Sequence, residues 1–349
     1  GVCPFEAIEM RVDKAEKDTT HLKDYTNIWV FAEQKKGVVQ GVAYELLGKA
    51  RELADIRGQD VWALLLGQGI SGAADDLIAR GADKVIVVDD PSLETFEDGT
   101  YANVITRLAR KYKPEIVLCG ATSIGRALIP RVAVQLETGL TADCTGLEID
   151  HESGLLRQTR PAFGGNIMAT ILCPNHRPQM ATVRHKVLPE AEPDSSRTGE
   201  VITESLETSD AFDLSRVLEV IEDVEDTVNI TEANIIVSGG RGMKGPENFE
   251  LLHDLAKKLN GAVGASRAAV DEGWIPYSHQ VGQTGKTVNP KVYIACGISG
   301  QIQHLVGMQS SDIIVAINKD ADAPLMKMAT FALCGDLFQI IPALIKKLN

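Results

Sequence analysis

Residues 233–240 read ANIIVSGG, an apolar and β-branched run that ends in two glycines, and PENFELLHDLAKKL follows at 246–259. The first segment predicts a buried strand, and the second places its apolar residues at the spacing of an amphipathic helix. Apolar runs recur in KVYIACG (291–297) and DIIVAIN (312–318). Because these strands are apolar along their whole length, helices must cover both faces of the sheet, which predicts a doubly wound, mostly parallel α/β fold.

The first half repeats this alternation of apolar runs and helical segments. Its continuous apolar runs are NIWVFAE (27–33), DVWALLLG (60–67), KVIVVDD (84–90) and EIVLCG (115–120). Residues 142–206 differ, because no long helix separates their irregular strand segments, and the acidic stretch 213–226 has the helical spacing of a connector. The sequence therefore predicts two Rossmann-like sheets. The predicted divisions are an extension at 1–26, a first α/β domain at 27–207, a connector at 208–228 and a second α/β domain at 229–349.

Composition excludes several classes of function. The 349 residues carry a formal net charge of -13 and show no stripe of Lys and Arg with interleaved aromatics, which excludes a nucleic-acid partner. No apolar run approaches the roughly 20 residues that span a bilayer, so we expect no membrane span and a cytoplasmic location. The six cysteines form no CxxC pair, so neither a metal site nor a disulfide framework is predicted.

Cys3-Pro4 invites a more specific interpretation than the other cysteines. In bacterial ferredoxins the last cysteine of a cluster-binding run precedes proline. The three partner cysteines are absent, so the chain as given cannot ligate a [4Fe–4S] cluster. The segment is either a ferredoxin-like remnant, the end of a missing upstream domain, or a chance Cys-Pro pair.

Polar and glycine-rich segments follow the predicted strands of the second half. They are SGGRG (238–242), GASR (264–267), SGQIQH (299–304) and NKD (318–320). Ligands of parallel sheets bind beyond the carboxyl ends of the strands, where glycines permit close backbone approach and Arg241 adds positive charge, so a dinucleotide is favoured. The segment VGQTGK (281–286) lacks the spacing of an ATP-hydrolysing phosphate loop. Thr284 and His304 are candidate donors to a ring system, although a loop hydroxyl and a helix-start histidine are the alternative interpretations.

The segments SGGRGMK, GASRAAVD, QVGQTGK, CGISGQIQH, AINKD and GDLF occur in the order found in electron transfer flavoprotein alpha subunits. The resemblance extends over nearly the whole chain from about Asn27. It implies FAD bound mostly by the second domain, with Arg267 against the isoalloxazine, Thr284 donating to flavin N5 and His304 near the pyrimidine edge. The positions that the resemblance implies for FAD contact are Arg241, Ser266, Arg267, Val281, Gly282, Gln283, Thr284, Ser299, Gly300, Gln301, Ile302, Gln303, His304, Asn318, Asp336 and Leu337.

The resemblance also implies a function and partners. We expect an electron carrier subunit, and not a stand-alone enzyme, that pairs obligately with a beta subunit and exchanges electrons with a dehydrogenase such as an acyl-CoA dehydrogenase. Ferredoxin or flavodoxin are further candidate partners, since some members of the family bifurcate electrons from NADH. A positive guanidinium and hydrogen bonds at the flavin edge stabilise added negative charge, which raises the potential of the first electron.

Two other functions remain open at this stage. The first is a structural or interaction module whose sheets hold AMP or NAD without a redox role, since such sheets serve many functions. The second is a conventional enzyme, which finds little support because no nucleophile-base pair or metal-ligand cluster is evident. The colour of the purified protein separates a flavoprotein from the AMP or NAD module.

Overall fold

The computed structural model describes residues 20–162, 167–212, 214–215, 217–220 and 230–348. Its strands, in chain order, are β1 (Ile28–Phe31), β2 (Gln34–Lys35), β3 (Val38–Val39), β4 (Val61–Gly67), β5 (Lys84–Asp89), β6 (Ile116–Gly120), β7 (Leu140–Cys144), β8 (Gly146–Ile149), β9 (Leu156–Ala162), β10 (Ile167–Ile171), β11 (Gln179–Val183), β12 (Glu200–Thr203), β13 (Ile235–Gly239), β14 (Ala262–Ala265), β15 (Val292–Cys296), β16 (Ile313–Asn318) and β17 (Phe331–Cys334). Its α-helices are α1 (Gly41–Arg57), α2 (Ala74–Ala79), α3 (Asp98–Tyr112), α4 (Ser123–Gln135), α5 (Glu250–Lys258), α6 (Arg267–Asp271), α7 (Ile302–Leu305), α8 (Pro324–Met328) and α9 (Leu337–Lys347).

The first domain is built on a seven-stranded parallel sheet in the order β12-β5-β4-β1-β6-β11-β7. Alternate residues of β1 point to opposite faces of this sheet. Ile28 and Val30 pack with α1, whereas Trp29 and Phe31 pack with α3 and α4. Both layers are fully buried, which explains why the strand is apolar at every position. The predicted doubly wound sheet is confirmed. The strand order reverses between β1 and β6, so a crevice opens there at the carboxyl edge.

Residues 142–206 contribute more to this sheet than the sequence indicated. Strand β11 pairs in parallel with β6 and β7, and β12 pairs with β5 at the opposite edge. Strands β8, β9 and β10 form a separate antiparallel sheet of three strands. These pairings join segments far apart in sequence, so no local pattern reveals them. Strand β12 is also largely exposed, which removes the apolar signal on which strand prediction depends.

The second domain has a five-stranded parallel sheet in the order β14-β13-β15-β16-β17. Helices α5 and α9 cover one face and α7 and α8 cover the other, as a doubly wound sheet requires. Strand β17 was not predicted from the sequence. All four of its residues are exposed, including Phe331 at 58%, so its apolar side chains do not mark a buried strand.

Two segments predicted from the sequence lie mostly outside the described residues. They are the 1–26 extension, with Cys3-Pro4, and the acidic helical connector. Of the acidic stretch 213–226, for which a helix was predicted, residues 214–215 and 217–220 are described, and they form no helix. Among the described residues, no helix is both long and apolar enough to cross a bilayer.

The two domains touch where the chain enters the second one. Lys186, which follows β11, donates from Nζ to the backbone carbonyl of Glu232 and to Oδ1 of Asn234, the latter at 3.1 Å. Asn289 of the second domain donates from Nδ2 to the carbonyl of Lys186. These contacts place the start of the second domain against the carboxyl edge of the first sheet.

Candidate functional site

A cavity of about 920 Å³ lies at the carboxyl ends of the strands in the second sheet. The loops after β13, β14, β15 and β16 all reach it, as expected for the ligand-binding edge of a parallel sheet. Segment 280–284, which precedes β15, closes another side. The volume of the cavity falls within the range of about 300–1,000 Å³ typical of small-molecule sites.

Glycines bring the first and third of these loops into contact. The amide of Gly242 donates to the carbonyl of Gly297 over 3.0 Å, and Gly240 donates to the carbonyl of Cys296 over 3.0 Å. Gly297 has φ +64, and a Cβ there would lie 2.7 Å from Cα of Gly242. The close approach therefore requires glycine on both sides, and it sets the distance between Arg241 and the loop that carries Ser299.

Thr284 is oriented by two neighbours. The side-chain amide of Gln280 donates to Oγ1 of Thr284 over 3.0 Å, and the hydroxyl of Tyr277 donates to the Thr284 carbonyl. The loop itself is tied to α7, since the amide of Gln283 donates to the carbonyl of Gln303 over 2.7 Å. Because the threonine oxygen already accepts from Gln280, the hydroxyl proton is left to donate to another acceptor in the cavity.

The charged side chains of the cavity have both signs. Arg267, in the first turn of α6, contacts Asp271 through Nε with a separation of 3.1 Å from Oδ2. Both side chains are more than half exposed, so this pair adds little stability and leaves the guanidinium able to meet a ligand. Arg241 supplies a second positive charge, while Glu272 and Asp320 line the cavity on other sides.

His304 lines the cavity but is itself 7% exposed. Its Nε2 lies 3.1 Å from the hydroxyl of Tyr293, and its Nδ1 is buried without a hydrogen-bond partner. Burial lowers the pKa of His304 to about 4, against an opposing effect of the Val281 carbonyl, so the imidazole is neutral at pH 7. A buried polar atom without a partner is rare in proteins, and here it marks a position where a ligand can complete the hydrogen bonding.

Comparison with known proteins agrees with this geometry. Residues 28–209 match the family model described as the electron transfer flavoprotein domain, and residues 229–309 match the electron transfer flavoprotein FAD-binding domain. The chain belongs to the electron transfer flavoprotein alpha subunit family. Its second domain is accordingly an FAD-binding domain, and electron transfer is the function of the family.

Three relatives illustrate how closely the chain follows this family. It is 55% identical to the electron transfer flavoprotein subunit alpha of Thermoanaerobacterium thermosaccharolyticum, over 94% of this chain and 99% of the relative. It is 43% identical to the acryloyl-CoA reductase electron transfer subunit beta of Anaerotignum propionicum, over 94% of this chain and 97% of the relative. It is 42% identical to subunit LctC of the NAD(+),ferredoxin lactate dehydrogenase of Acetobacterium woodii, over 96% of this chain and 79% of the relative.

The cavity of this electron transfer flavoprotein domain collects most of the positions predicted from the sequence. Those that line it are Arg241, Ser266, Arg267, Val281, Gly282, Gln283, Thr284, Ser299, Gly300, Gln301, Gln303, His304 and Asn318. Ile302, Asp336 and Leu337 do not line it. Ile302 is 49% exposed on α7, Leu337 is 5% exposed in the core, and Asp336 caps α9 through the Phe338 amide and pairs with Lys319. Four further lining residues were not among the predicted FAD contacts: Asp271, Glu272, Gln280 and Asp320. Asp320 belongs to the predicted NKD segment, and Gln280 stands directly before the VGQT segment.

A second cavity, of about 310 Å³, lies between the strand reversal of the first domain and the start of the second, which contributes Thr231, Glu232 and Asn234 to its lining. Carboxylates of Glu33, Glu45 and Glu190 line it beside Lys186. Burial raises the pKa of Glu33, which also accepts a hydrogen bond from Thr122 over 2.5 Å. In nucleotide-binding sheets this position holds phosphate against the first helix, whereas a set of carboxylates repels it. This cavity is therefore poorly suited to the phosphates of AMP or NAD.

Glu45 gives this cavity a measurable pH dependence. It is 4% exposed and accepts from the amides of Lys186 (2.8 Å) and Leu188 (3.4 Å), and burial raises its pKa to about 7. The folded protein then holds this proton more tightly than the unfolded chain, so stability falls as pH rises from about 4.5 to about 7, by about 3 kcal/mol. We expect Glu45→Gln to be more stable than the wild type by most of that amount at pH 8, and by little at pH 4.5.

Urea unfolding at pH 4.5, 6 and 8 measures the effect as the difference between variant and wild type. The exposed Glu94 offers a matched control, because Glu94→Gln removes one carboxylate of the same domain that is not buried. A difference between Glu45→Gln and wild type that stays constant with pH would contradict the assignment.

Proposed function

We propose that this chain is the FAD-carrying subunit of a heterodimer that passes electrons between a beta-subunit flavin or a dehydrogenase and a partner oxidoreductase. The observation that carries the proposal is the cavity at the carboxyl edge of the second sheet, where the segments SGGRG, GASR, VGQT and SGQIQH converge. Bound there, FAD supplies one-electron and two-electron redox chemistry.

The lining residues suit each part of such a ligand. Arg241 and the glycine-rich backbone beside it fit the negatively charged diphosphate, since guanidinium and backbone amides are good phosphate donors. Thr284 offers a hydroxyl proton that no protein acceptor takes in the described hydrogen bonds, which fits a ring nitrogen. Arg267 and the neutral His304 provide a cation and a hydrogen-bonding nitrogen for the end of the ring that gains negative charge on reduction.

Asp336, Leu337 and Ile302 stay predicted contacts of FAD that the cavity lining does not support. Asp336 and Leu337 begin α9 beside the loop that carries Asn318, because Gly335 donates from its amide to the Asn318 carbonyl over 3.0 Å. Asp336 and Leu337 therefore lie near the cavity without lining it, next to a loop whose residue Asn318 does line it. Their proposed role is to fix Asn318 and Lys319, the latter paired with Asp336 at 3.1 Å.

The proposed partners follow from the family and from the names of its relatives. A beta subunit is the expected obligate partner of an alpha subunit. One relative is a subunit for acryloyl-CoA reductase and another belongs to an NAD(+),ferredoxin lactate dehydrogenase, which supports an acyl-CoA or hydroxy-acid dehydrogenase as electron donor or acceptor. The second name also supports ferredoxin as a partner, as electron bifurcation would require. Flavodoxin in its place is proposed from the family resemblance alone. We assign the complex to the cytoplasm. We also propose that the 208–228 connector acts as a hinge between the two domains.

The alternative function, a structural module that holds AMP or NAD, is less well supported. The carboxylate-lined cavity of the first domain disfavours phosphate. The second domain presents a buried histidine nitrogen without a protein partner and a threonine hydroxyl at one cavity, which are features that a redox ring uses and a bound AMP does not require.

The flavin content of the heterodimer tests the proposal. We expect the chain, coexpressed with its beta subunit, to purify as a yellow complex with a flavin absorbance spectrum and at least one FAD per heterodimer. Two FAD molecules per heterodimer support bifurcation, and one supports a simple carrier. A colourless complex that contains AMP alone and does not take up added FAD would overturn the proposed function.

A further inference from the structure

Behind His304 lies a buried polar pair that does not line the cavity. Tyr293, in the middle of β15, is 0% exposed, and its hydroxyl is 3.1 Å from Nε2 of His304. Ser238, on the neighbouring strand β13, is also 0% exposed, and its hydroxyl has no hydrogen-bond partner among the described residues. Burial raises the pKa of Tyr293, and the Ser238 hydroxyl opposes this increase. Polar side chains inside a sheet core are costly unless they form hydrogen bonds, so this pair requires a reason.

The contact between Tyr293 and His304 can be made in two ways. In the first, the tyrosine hydroxyl donates to Nε2, so the single proton of the neutral ring sits on Nδ1. In the second, Nε2–H donates to the tyrosine oxygen and the tyrosine proton turns to Ser238, which leaves Nδ1 as a bare acceptor. The two arrangements present opposite chemistry to the cavity, a donor in one case and a lone pair in the other.

The surroundings of the ring favour the first arrangement. The hydroxyl of Ser238 has no hydrogen-bond partner among the described residues, whereas Nε2 of His304 lies 3.1 Å from the tyrosine hydroxyl. In the second arrangement the tyrosine proton would therefore have no acceptor within hydrogen-bond distance, and in the first it is taken by Nε2.

We propose that Tyr293 is a positioning residue, whose hydroxyl donates to Nε2 of His304 and thereby holds the imidazole as the Nδ1–H tautomer, presenting a hydrogen-bond donor to the ring bound in the cavity. The proposal rests on the proposed function, because it takes the bound ring to be that of FAD. A donor at this point stabilises negative charge on a ring carbonyl, whereas a lone pair opposes it. Tyr293 acts through His304 and does not contact the cavity.

The tautomer can be observed directly by NMR. The heterodimer is labelled with ¹⁵N-histidine, the His304 signals are assigned from the spectrum of His304→Asn, and two-bond ¹H–¹⁵N correlations identify the protonated nitrogen. In the wild type we expect Nδ1 to be protonated and Nε2 to be bare. In Tyr293→Phe, Nε2 loses its donor, so we expect a large share of the Nε2–H tautomer and roughly fivefold weaker FAD binding, the effect of one hydrogen bond.

Two further variants sharpen the test. Ser238→Ala leaves the bond from Tyr293 to His304 in place, so we expect the Nδ1–H tautomer to persist. If the tyrosine instead donates to Ser238, this variant frees its proton and changes the tautomer. Tyr101→Phe is the matched control, because it removes another buried tyrosine hydroxyl, which donates to the Leu93 carbonyl over 2.9 Å in the first domain.

The inference is overturned if the wild type shows Nε2–H, if Tyr293→Phe retains only Nδ1–H, or if Ser238→Ala shifts the tautomer. Should Tyr293→Phe fail to fold, the spectra of the wild type and of Ser238→Ala still show which nitrogen of His304 is protonated and whether that depends on Ser238. The spectra are recorded with and without added FAD. A heterodimer that binds no FAD but shows Nδ1–H on His304 refutes the proposed function and leaves the tautomer assignment intact.

Discussion

Replacing Arg267 with Ala is expected to lower the midpoint potential of the first electron by about 60–120 mV. A hydrogen bond or close contact from a charged group contributes about 1.5–3 kcal/mol, and for one electron about 1.4 kcal/mol corresponds to 59 mV. Arg267 lies at the cavity on the first turn of α6, and the cation stabilises the negative charge that arrives with the electron. A stepwise reduction of the heterodimer against indicator dyes measures the change.

Neighbouring substitutions test whether charge is responsible. Arg267→Lys retains the cation, so it should recover more than half of the loss. Asp271→Asn removes the carboxylate 3.1 Å from Arg267 and should raise the potential, opposite in sign to Arg267→Ala. Equal potentials for wild type and Arg267→Ala would defeat the role assigned to this arginine.

Gly297→Ala is expected to destabilise the second domain by about 2–4 kcal/mol and to weaken FAD binding. A Cβ at this position would lie 2.7 Å from Cα of Gly242 and 3.0 Å from Cδ2 of Leu337, so backbone must move. The residue also has φ +64, where alanine is strained by about 1 kcal/mol, and overpacking adds about 1–3 kcal/mol. Both loops that the glycines join also line the cavity, so the displacement reaches the ligand.

Gly273→Ala provides a matched control for this prediction. Gly273 has φ +72 in the same domain, but a Cβ there would meet nothing within 4 Å. We expect it to lose only the strain of about 1 kcal/mol and to bind FAD as the wild type does. Urea unfolding and FAD titration of both variants measure the difference. Equal effects at the two positions would show that strain alone matters and that the contact between the loops does not.

The sequence predicted those parts of the fold whose signals are local. ANIIVSGG and EIVLCG are strands because each is buried on both faces, and α1 ends at Gly58, which adopts the left-handed conformation expected of a terminal glycine. Strands β7, β11, β12 and β17 were missed as members of the two parallel sheets. Their placement depends on pairing across long separations or, for β12 and β17, lacks a buried apolar pattern.

The candidate site was predictable to the extent that its residues belong to the loops after the strands. Arg241, Ser266, Ser299 and Asn318 follow their strands directly, so the rule that ligands bind at the carboxyl ends of the strands brings them together. The part played by Gln280 was not visible, because its contact with Thr284 forms only when the loop folds back on itself. The hydroxyl of Tyr293 was likewise hidden in a run that resembles an ordinary core strand.

Strand β12 gives the first domain a particular order of completion during synthesis. It pairs with β5 in the register Glu200 with Lys84, so β5, whose middle residues are buried in the folded domain, remains an unpaired edge strand until the ribosome has made and released residues 200–203. At about 5–20 residues per second, this interval lasts on the order of ten seconds. The nascent chain therefore carries an open parallel edge, the kind of surface that chaperones shield, for much of its translation.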